Sequence, residues 1–235
     1  MLGLPDGSID MIACDLPYGV TARNRWDVPI DLDPLWCAYR RVIKASGAIV
    51  LTATMKFAVD LISSNPTMFR YEIVWKKNKP TGFLNANRMP LRQHELILVF
   101  YKRLPTYNPQ KTAGHPPVNR FTKHTSDGPC YGKTRRGIRG GGQTDRHPTS
   151  IWEIAVTNND SKEHVHPTQK PVELFERIIR TYTNPGDVVL DNCIGSGTTA
   201  IAAVRSGRRW IGMESSKKWY RHATKRVRKC SDFGG

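Results

Sequence analysis

Two glycines separate a predicted strand from a predicted helix near the end of the chain. The stretch VVLDNCIGSGTTAIAA places Gly195, Gly197 and Ala200 in the pattern G-x-G-x-x-A, and Glu214 ends the next predicted strand. A strand, a glycine turn, a helix and a second strand with a terminal acid are typical of a unit that binds a nucleotide cofactor. A tight turn without a ligand would need the same glycines, so that alternative stays open at this point.

A second carboxylate indicates which cofactor suits this turn. Asp191 stands at the strand end, where it would repel the pyrophosphate of a dinucleotide but attract the positively charged groups of S-adenosylmethionine. Glu214 is placed to accept hydrogen bonds from two ribose hydroxyls. The chain lacks G-x-x-x-x-G-K-[ST], which argues against a P-loop nucleotidase. The residues therefore favour S-adenosylmethionine.

A third carboxylate follows the first apolar run of the chain. The run IDMIAC, residues 9–14, is short and bounded by turn-forming residues, which predicts a buried strand. Asp15, Leu16, Pro17 and Tyr18 come next, and the strand must stop near Leu16 because Pro17 cannot donate the next ladder hydrogen bond. These residues either shape a turn or present a carboxylate and an aromatic ring together.

Alternating strands and helices must position these three stretches. Asp33 and Pro34 predict the cap and first turn of a helix that Gly47 would end. Further helices are predicted at 56–64, 171–183 and 198–207, and further strands at 48–53, 71–77, 95–102, 187–193 and 209–214. This rhythm is typical of a doubly wound α/β sheet.

The order of the segments is unusual for such a sheet. A cofactor-binding unit normally opens its domain, but only 38 residues follow Gly197. The remaining strands must therefore come from the front of the chain. We expect the strand at 187–193 to lie beside the strand at 9–14, at the switch point where open α/β sheets bind ligands. The prediction is a Rossmann-like doubly wound sheet that is circularly permuted.

Positive charge is concentrated in the middle of the chain. The chain has 36 Lys and Arg against 20 Asp and Glu, a net charge of +16. Ten of the cations but only two acids lie between Lys102 and His147, where Tyr107, Phe121 and Tyr131 interleave with them. A disordered linker is the alternative, but this composition favours an inserted lobe that binds nucleic acid. Its predicted DNA-binding residues are Arg120, Lys123, Lys133, Arg135, Arg136 and Arg139.

Cysteines and hydropathy bear on the location of the protein. The five cysteines are odd in number and never form C-x-x-C, which predicts reduced thiols inside a cell. His164 and His166 have no cysteine or third histidine nearby, so we expect no metal site. No apolar stretch approaches membrane-spanning length and no signal pattern opens the chain, which predicts a cytoplasmic protein.

Several motifs together resemble one enzyme family. DLPYG resembles the D-P-P-Y motif of the amino-group DNA methyltransferases, and DNCIGSGTT resembles their cofactor motif. RQHELILVFYK, RHPTSIWEI and HPTQKP are similar to further family segments. The order, with the catalytic motif first and the cofactor motif last, is that of the β class. The resemblance implies a methyltransferase domain with a catalytic part at 1–102, a target-recognition lobe at 103–150 and a cofactor-binding part at 151–235.

The resemblance also implies roles for individual residues. Asp15 and the Leu16 carbonyl would accept the two hydrogens of an exocyclic amino group, which directs its lone pair at the methyl carbon, and Asp15 could take up the proton. Pro17 completes the catalytic motif. The base must be flipped out of the duplex, and Tyr18 would stack on it. The implied cofactor-binding residues are Lys170, Asp191, Cys193, Gly195, Gly197, Thr198, Thr199 and Glu214.

The expected product is N6-methyladenine in double-stranded DNA, since the family's D-P-P-Y motif accompanies adenine more often than cytosine. N4-methylcytosine stays open. Leu16 replaces the first proline of the motif, and family members usually carry an acidic segment before LPDGSID that this chain lacks, so a noncatalytic DNA-binding relative also stays open. A guanine-N2 RNA methyltransferase would carry its cofactor motif first, and Asp191 disfavours an NAD-dependent oxidoreductase. The family context suggests a bacterial or phage origin and leaves a homodimer and a cognate restriction nuclease open.

Overall fold

The computed structural model describes residues 1–19, 28–123, 137–157 and 169–232. These residues divide into two compact units. Met1–Asn108 together with Ser150–Gly235 form the larger unit, and Pro109–Thr149 form the smaller one. The smaller unit spans residues 109–149. The inserted lobe predicted from the sequence spans residues 103–150.

The described residues form nine strands, five α-helices and one short 3-10 helix at Phe83–Asn85. The strands are β1 (Ile9–Cys14), β2 (Ile43–Ala53), β3 (Phe69–Thr81), β4 (Arg92–Phe100), β5 (Phe121–Lys123), β6 (Ile138–Gly140), β7 (Ile151–Glu153), β8 (Val188–Asp191) and β9 (Arg209–Gly212). The helices are α1 (Leu32–Val42), α2 (Met55–Ser64), α3 (Val172–Tyr182), α4 (Thr198–Arg205) and α5 (Lys217–Asp232). Among the described residues, no helix has both the length and the apolar character needed to cross a membrane.

The larger unit is built on one mixed sheet. In the described part of the chain, seven strands pair in the order β7-β3-β4-β2-β1-β8-β9. β4 runs antiparallel to both of its neighbours, and the other pairs are parallel. Met11 pairs with Val189 and Ile12 with Leu190, so β1 and β8 are adjacent, as the sequence predicted. The predicted α/β class and permuted sheet order are confirmed.

β1 is buried on both faces, which explains its continuous apolar run. Ile12 and Cys14 belong to a core cluster that also contains residues of α1 and α2. Met11 and Ala13 belong to a second cluster with residues of α3 and α4. Because side chains alternate along a strand, one six-residue segment anchors helices on both faces of the sheet.

The first helix differs from its prediction at both ends. Asp31, and not Asp33, is its N-cap, and the Asp31 carboxylate accepts the Asp33 amide hydrogen at 3.2 Å. The helix ends at Val42, and β2 begins at the next residue. Gly47 therefore does not stop a helix. It lies in β2, where a Cβ atom would stand 2.8 Å from the backbone oxygen of Asp10, so the close approach of β1 requires a glycine.

The smaller unit contains a short hairpin, with Phe121 of β5 opposite Gly140 of β6. Lys111 and Asp145 form an ion pair at 2.9 Å within this unit. Of the predicted DNA-binding residues, Arg120 and Arg139 are exposed here, and Lys123 ends β5. Lys133, Arg135 and Arg136 lie outside the described residues.

Candidate active site

Asp15 is held at the carboxyl end of β1 by the neighbouring strand. Cys14 pairs with Leu51, which places Thr52 of β2 beside Asp15. The Thr52 hydroxyl donates to Asp15 Oδ1 at 2.5 Å, and the Tyr18 hydroxyl lies 2.7 Å from the same oxygen. The structure therefore brings the acid and the tyrosine of the D-L-P-Y segment into direct contact.

Leu16, which stands where the related motif has a proline, is buried. Its side chain is only 2% exposed and belongs to the core cluster formed with α1 and α2. The backbone turn is thus anchored by packing of an apolar side chain. Proline would instead restrict the backbone directly.

A buried lysine contacts Asp15 from a distant part of the chain. Lys170 Nζ lies 2.9 Å from each of the two Asp15 carboxylate oxygens. The same ammonium lies 3.2 Å from Glu95 Oε2, and Glu95 Oε1 accepts a hydrogen bond from Lys77. Lys77, Glu95, Lys170 and Asp15 thus form a row of alternating charges, which we call the charge row.

Burial and neighbouring charges set the ionisation of this row. Burial by itself would lower the pKa of Lys170, but Asp15, Tyr18 and Glu95 outweigh it and raise that pKa well above its usual value. Burial would raise the pKa of Glu95, but the two lysines beside it lower that pKa overall. Both groups are therefore charged at neutral pH.

The Tyr18 ring is fixed by aromatic and cationic contacts. Its centroid lies 5.3 Å from that of Phe57, with 34° between the planes, and Lys170 Nζ lies 5.1 Å from the Tyr18 centroid. Burial and the Asp15 carboxylate raise the pKa of Tyr18 well above 10, so its hydroxyl keeps its proton. The half-buried ring leaves part of its surface accessible.

The glycine turn connects β8 with α4 through two left-handed residues. Gly195 has φ +50° and Gly197 has φ +87°, values that other residues rarely adopt. A Cβ at Gly197 would lie 3.1 Å from Ala223 of α5, so this glycine also permits close packing of helices. A Cβ at Gly195 would meet only the Cys193 oxygen, at 3.8 Å. The backbone at Gly195 is thus open to a ligand.

Asp191 points into the turn. It is 3% exposed, and its oxygens accept hydrogen bonds from the Cys193 amide at 2.9 Å and the Thr199 hydroxyl at 2.6 Å. Burial raises its pKa to about 6, although these two bonds oppose the shift. Asp191 therefore braces the turn that it precedes.

Glu214 lies on the other side of the turn, two residues beyond the end of β9. Its two oxygens accept hydrogen bonds from the amides of Gly195, at 3.0 Å, and Ser216, at 2.8 Å. The residue is half-buried, and each carboxylate oxygen can accept a further hydrogen bond. Glu214 thus supports the turn and keeps acceptor capacity.

The remaining predicted cofactor residues surround the same turn. Thr198 and Thr199 are buried in the first turn of α4. The Cys193 side chain lies beside buried Cys14, so its amide and its thiol face different partners. Lys170 was grouped with these residues, but its ammonium lies on Asp15, while its backbone oxygen lies 3.4 Å from the Thr198 hydroxyl. It therefore spans both parts of the site.

Sequence reasoning missed four side chains that complete the site. Thr52, Lys77 and Glu95 contact the catalytic segment or Lys170, and Tyr39 of α1 donates to the Asn192 side chain at 2.5 Å. The sequence offered one signal for two of them, because Lys77 ends one predicted strand and Glu95 begins the next. Their contact depends on the antiparallel register of β3 and β4, which no local pattern reveals.

Comparisons with known proteins agree with this geometry. The family model described as DNA methylase, for the N6 and N4 amino enzymes, matches residues 9–225. The Type II methyltransferase M2.LlaDCHI of Lactococcus lactis subsp. cremoris is 41% identical over 97% of this chain and 85% of its own length. The Type II methyltransferase M.BglII of Bacillus subtilis is 31% identical over 93% of this chain, which spans 63% of that relative. The DNA adenine methyltransferase YhdJ of Escherichia coli K12 is 26% identical over 98% of this chain and 80% of its own length.

Solved structures share the fold. The complex of M1.HpyAVI with SAM has a TM-score of 0.60 at 25% identity and covers 93% of this chain and 89% of its own. The cytosine-N4-specific PvuII DNA methyltransferase has a TM-score of 0.66 at 13% identity, over 98% of this chain and 87% of its own. Together with the family match over most of its length, these likenesses show that the chain belongs to the amino-group DNA methylase family.

Proposed function

We propose that this protein is a DNA methyltransferase that transfers a methyl group from S-adenosylmethionine to the N6 amino group of adenine in double-stranded DNA. The observation that carries the proposal is the pairing of β1 with β8. This pairing brings the Asp15–Tyr18 segment and the glycine turn to the same edge of the sheet. Acceptor and donor sites must be adjacent for direct transfer.

The residues at the turn suit the cofactor. S-adenosylmethionine, when bound, supplies an electrophilic methyl carbon on a sulfonium. The open backbone at Gly195 would admit the cofactor, and Glu214 would accept hydrogen bonds from its ribose hydroxyls. Asp191 keeps the turn in shape because the Cys193 amide and the Thr199 hydroxyl each donate a hydrogen bond to one of its oxygens.

Asp15 and the Leu16 carbonyl orient the reacting amino group. An exocyclic amino nitrogen is a poor nucleophile because its lone pair is delocalised into the ring. When Asp15 and the Leu16 carbonyl accept its two hydrogens, the nitrogen becomes pyramidal and its lone pair is directed away from the ring. Asp15 then accepts the proton that the methylated nitrogen must lose.

Tyr18 stacks on the base that has left the duplex. The target amino group is inaccessible in a stacked helix, so the base must be flipped out. The Tyr18 ring is held by Phe57 and Lys170, which fixes the plane against which a base would lie. Because its hydroxyl contacts Asp15, Tyr18 also links stacking to the position of the acceptor.

Adenine is favoured by residue type. Asp15 and Tyr18 match the motif that accompanies adenine more often, and YhdJ, whose name specifies adenine, is similar along nearly the whole chain. The PvuII enzyme, named for N4-cytosine, shares the fold, so the fold alone does not select the base. The choice of adenine therefore rests on the motif and this relative.

One incubation tests the proposal. Unmethylated DNA of diverse sequence is incubated with the protein and methyl-labelled cofactor, and the nucleosides are then identified by mass spectrometry. We expect labelled N6-methyladenine with the wild type and none with Asp15→Ala, which should still bind the cofactor in calorimetry. Labelled N4-methylcytosine would overturn the base assignment, and no labelled nucleoside would overturn the proposed transfer.

A further inference from the structure

Four charged side chains from distant segments meet at the edge of the sheet where β1 ends. Lys77 follows the paired residue Lys76 in β3, Glu95 lies opposite Trp75 in β4, Lys170 precedes α3 and Asp15 follows β1. Lys77 and Lys170 are 8% and 9% exposed. Burying charged groups is costly unless each is paired, and here each charge has an opposite neighbour. Because these lysines are buried, the charge row does not serve the solubility of the protein surface.

The row ends on the acceptor of the proposed reaction. Lys170 lies within 2.9 Å of both Asp15 oxygens, whereas Thr52 and Tyr18 contact only Oδ1. An ammonium in this position makes charge-assisted contacts with both oxygens and restricts rotation of the acid. An Asp15 carboxylate held in this way keeps a fixed direction for accepting a hydrogen bond from the amino group.

We propose that Lys170 is a positioning residue that keeps the Asp15 carboxylate oriented for the amino group, and that Glu95 and Lys77 hold Lys170 in place. This inference rests on the proposed function. It assigns Lys170 a role at Asp15, which accepts the hydrogen bond and the proton, and not at the cofactor. Glu95 bridges both lysines, so its removal releases Lys170 from one side. Other ionisable groups that face Asp15 are Tyr18 on its own loop and Asp191 from β8.

The decisive comparison is between Lys170→Met and Lys170→Arg. In Lys170→Met, kcat for methyl transfer should fall about tenfold or more, while KM for the cofactor stays unchanged. Lys170→Arg keeps the charge and should restore most of the rate. Glu95→Gln should show the same loss of rate to a smaller extent. Lys44→Met is the matched control, because Lys44 pairs with Asp10 at the far edge of the sheet and its removal should leave the rate unchanged.

A second measurement does not depend on turnover. In ¹³C-labelled protein at one fixed pH, the carboxyl resonance of Asp15, assigned with Asp15→Asn, should change its chemical shift in Lys170→Met and return towards the wild-type position in Lys170→Arg. An unchanged resonance and an unchanged kcat, together with weaker cofactor binding, would overturn the inference and make Lys170 a cofactor ligand. If the resonance moves while no DNA is methylated, the positioning role stands and the proposed function fails.

An independent observation concerns the hairpin that β3 and β4 form beyond Lys77 and Glu95. Every residue from 78 to 94 is exposed. Its tip carries Phe83, Leu84 and Met89, which are 81%, 98% and 50% exposed. Burial of large apolar side chains is normally favourable, so their exposure together marks a contact surface. We call residues 78–94 the tip hairpin.

The charge around the tip hairpin indicates the partner. Between Glu72 and Glu95 the chain has no acidic residue, but it has five Lys or Arg and one His. The hairpin continues from the strand segments that carry two members of the charge row, so it projects from the edge where Asp15 lies. Apolar side chains flanked by cations are suited to DNA whose bases are unstacked, because the cations meet phosphates and the apolar groups fill the gap.

We propose that the tip hairpin contacts duplex DNA beside the flipped base, with Phe83 and Leu84 entering the space that the base leaves. Arg88 and Arg92 would contact the adjacent phosphates. The proposed partner is DNA. A second copy of the chain covering the same apolar tip is the competing outcome.

Fluorescence anisotropy with two duplexes tests this contact. One duplex is intact, and the other contains abasic sites that provide a ready gap. The wild type should bind the abasic duplex severalfold more tightly, and Phe83→Ser with Leu84→Ser should lose this preference. Leu2→Ser, at another exposed leucine, is the control and should retain it. A preserved preference, or a double variant that turns a dimer into a monomer in sedimentation while binding DNA normally, would overturn the proposal.

Discussion

Asp191 shows how one buried carboxylate makes stability depend on pH. Burial raises its pKa from 3.8 to about 6, so the folded chain binds this proton more tightly than the unfolded chain. The resulting stabilisation is complete below the unfolded value and is lost as the pH rises through about 6. An ionised Asp191 therefore weakens the fold at neutral pH, although it still braces the glycine turn.

Asp191→Asn should remove this dependence. Between about pH 4 and pH 8, the free energy of unfolding of the wild type should fall relative to the variant by up to about 3 kcal/mol. Urea denaturation at several pH values measures the difference. Asp60→Asn, on the exposed face of α2, is the control and should run parallel to the wild type. A constant difference between wild type and Asp191→Asn would contradict the proposed titration.

Tyr18 carries two separable contributions, its ring and its hydroxyl. Tyr18→Ala removes the stacking surface and should slow methyl transfer by more than tenfold, consistent with about 1–3 kcal/mol per stacked base. Tyr18→Phe keeps the ring and removes only the hydrogen bond to Asp15, so its rate should fall less. Steady-state rates and calorimetric cofactor affinities check this, and equally slow transfer in both variants would refute a stacking role.

At the scale of elements, the glycine turn depends on how α4 packs against α5. Gly197 combines a left-handed backbone with a close approach to Ala223, whereas Gly207 has φ +73° with nothing near its missing Cβ. A comparison of substitutions at the two glycines therefore distinguishes the effect of backbone strain from the effect of crowding by α5. Arg226 of α5 adds to the packing by donating to the Ser196 oxygen at 2.6 Å.

Gly197→Ala should weaken cofactor binding at least tenfold and lower the free energy of unfolding by about 1–3 kcal/mol, because strain and crowding against α5 both act on the turn. Gly207→Ala carries similar backbone strain but should leave cofactor affinity unchanged. Isothermal titration and thermal denaturation of both variants test this. Equal cofactor affinities in the two variants would show that the turn does not bind the cofactor.

At the scale of the whole molecule, charge is distributed unevenly. Half of the net charge of +16 lies between Lys102 and His147. Cations also lie at the opposite edge of the sheet, where Lys44, Arg70 and Arg209 stand at or near the first residues of strands. A polyanion that binds residues 102–147 should depend on the first group and not on the second.

DNA affinity should therefore fall steeply as the salt concentration rises. The slope of this fall should depend on which positively charged residues are removed. Replacing Arg135, Arg136 and Arg139 with alanine should reduce the slope of log affinity against log salt by about 0.9 for each phosphate that is no longer neutralised, without changing cofactor affinity. The same charge removed at Lys44, Arg70 and Arg209 should leave the slope nearly unchanged. Equal slopes in both triple variants would exclude the lobe as the DNA surface.

Local patterns determined much of this protein. The apolar run at Ile9–Cys14, the proline that ends it and the two glycines near the end of the chain each act over a few residues, so their strands and turns are readable from sequence. The adjacency of β1 and β8 also followed, because too few residues come after Gly197 to complete a sheet. Family motifs then indicated the chemistry of Asp15 and Tyr18.

The tertiary structure alone decided which charges meet. Lys170 stands 155 positions from Asp15, and Glu95 reaches Lys77 only through the antiparallel register of β3 and β4. Such contacts depend on the closure of long loops and on strand register, which composition and periodicity do not encode. Long-range packing also places Gly47 in a strand against Asp10 and directs the Asp191 carboxylate towards the glycine turn. Sequence determined the residues capable of chemistry, and long-range packing determined their partners.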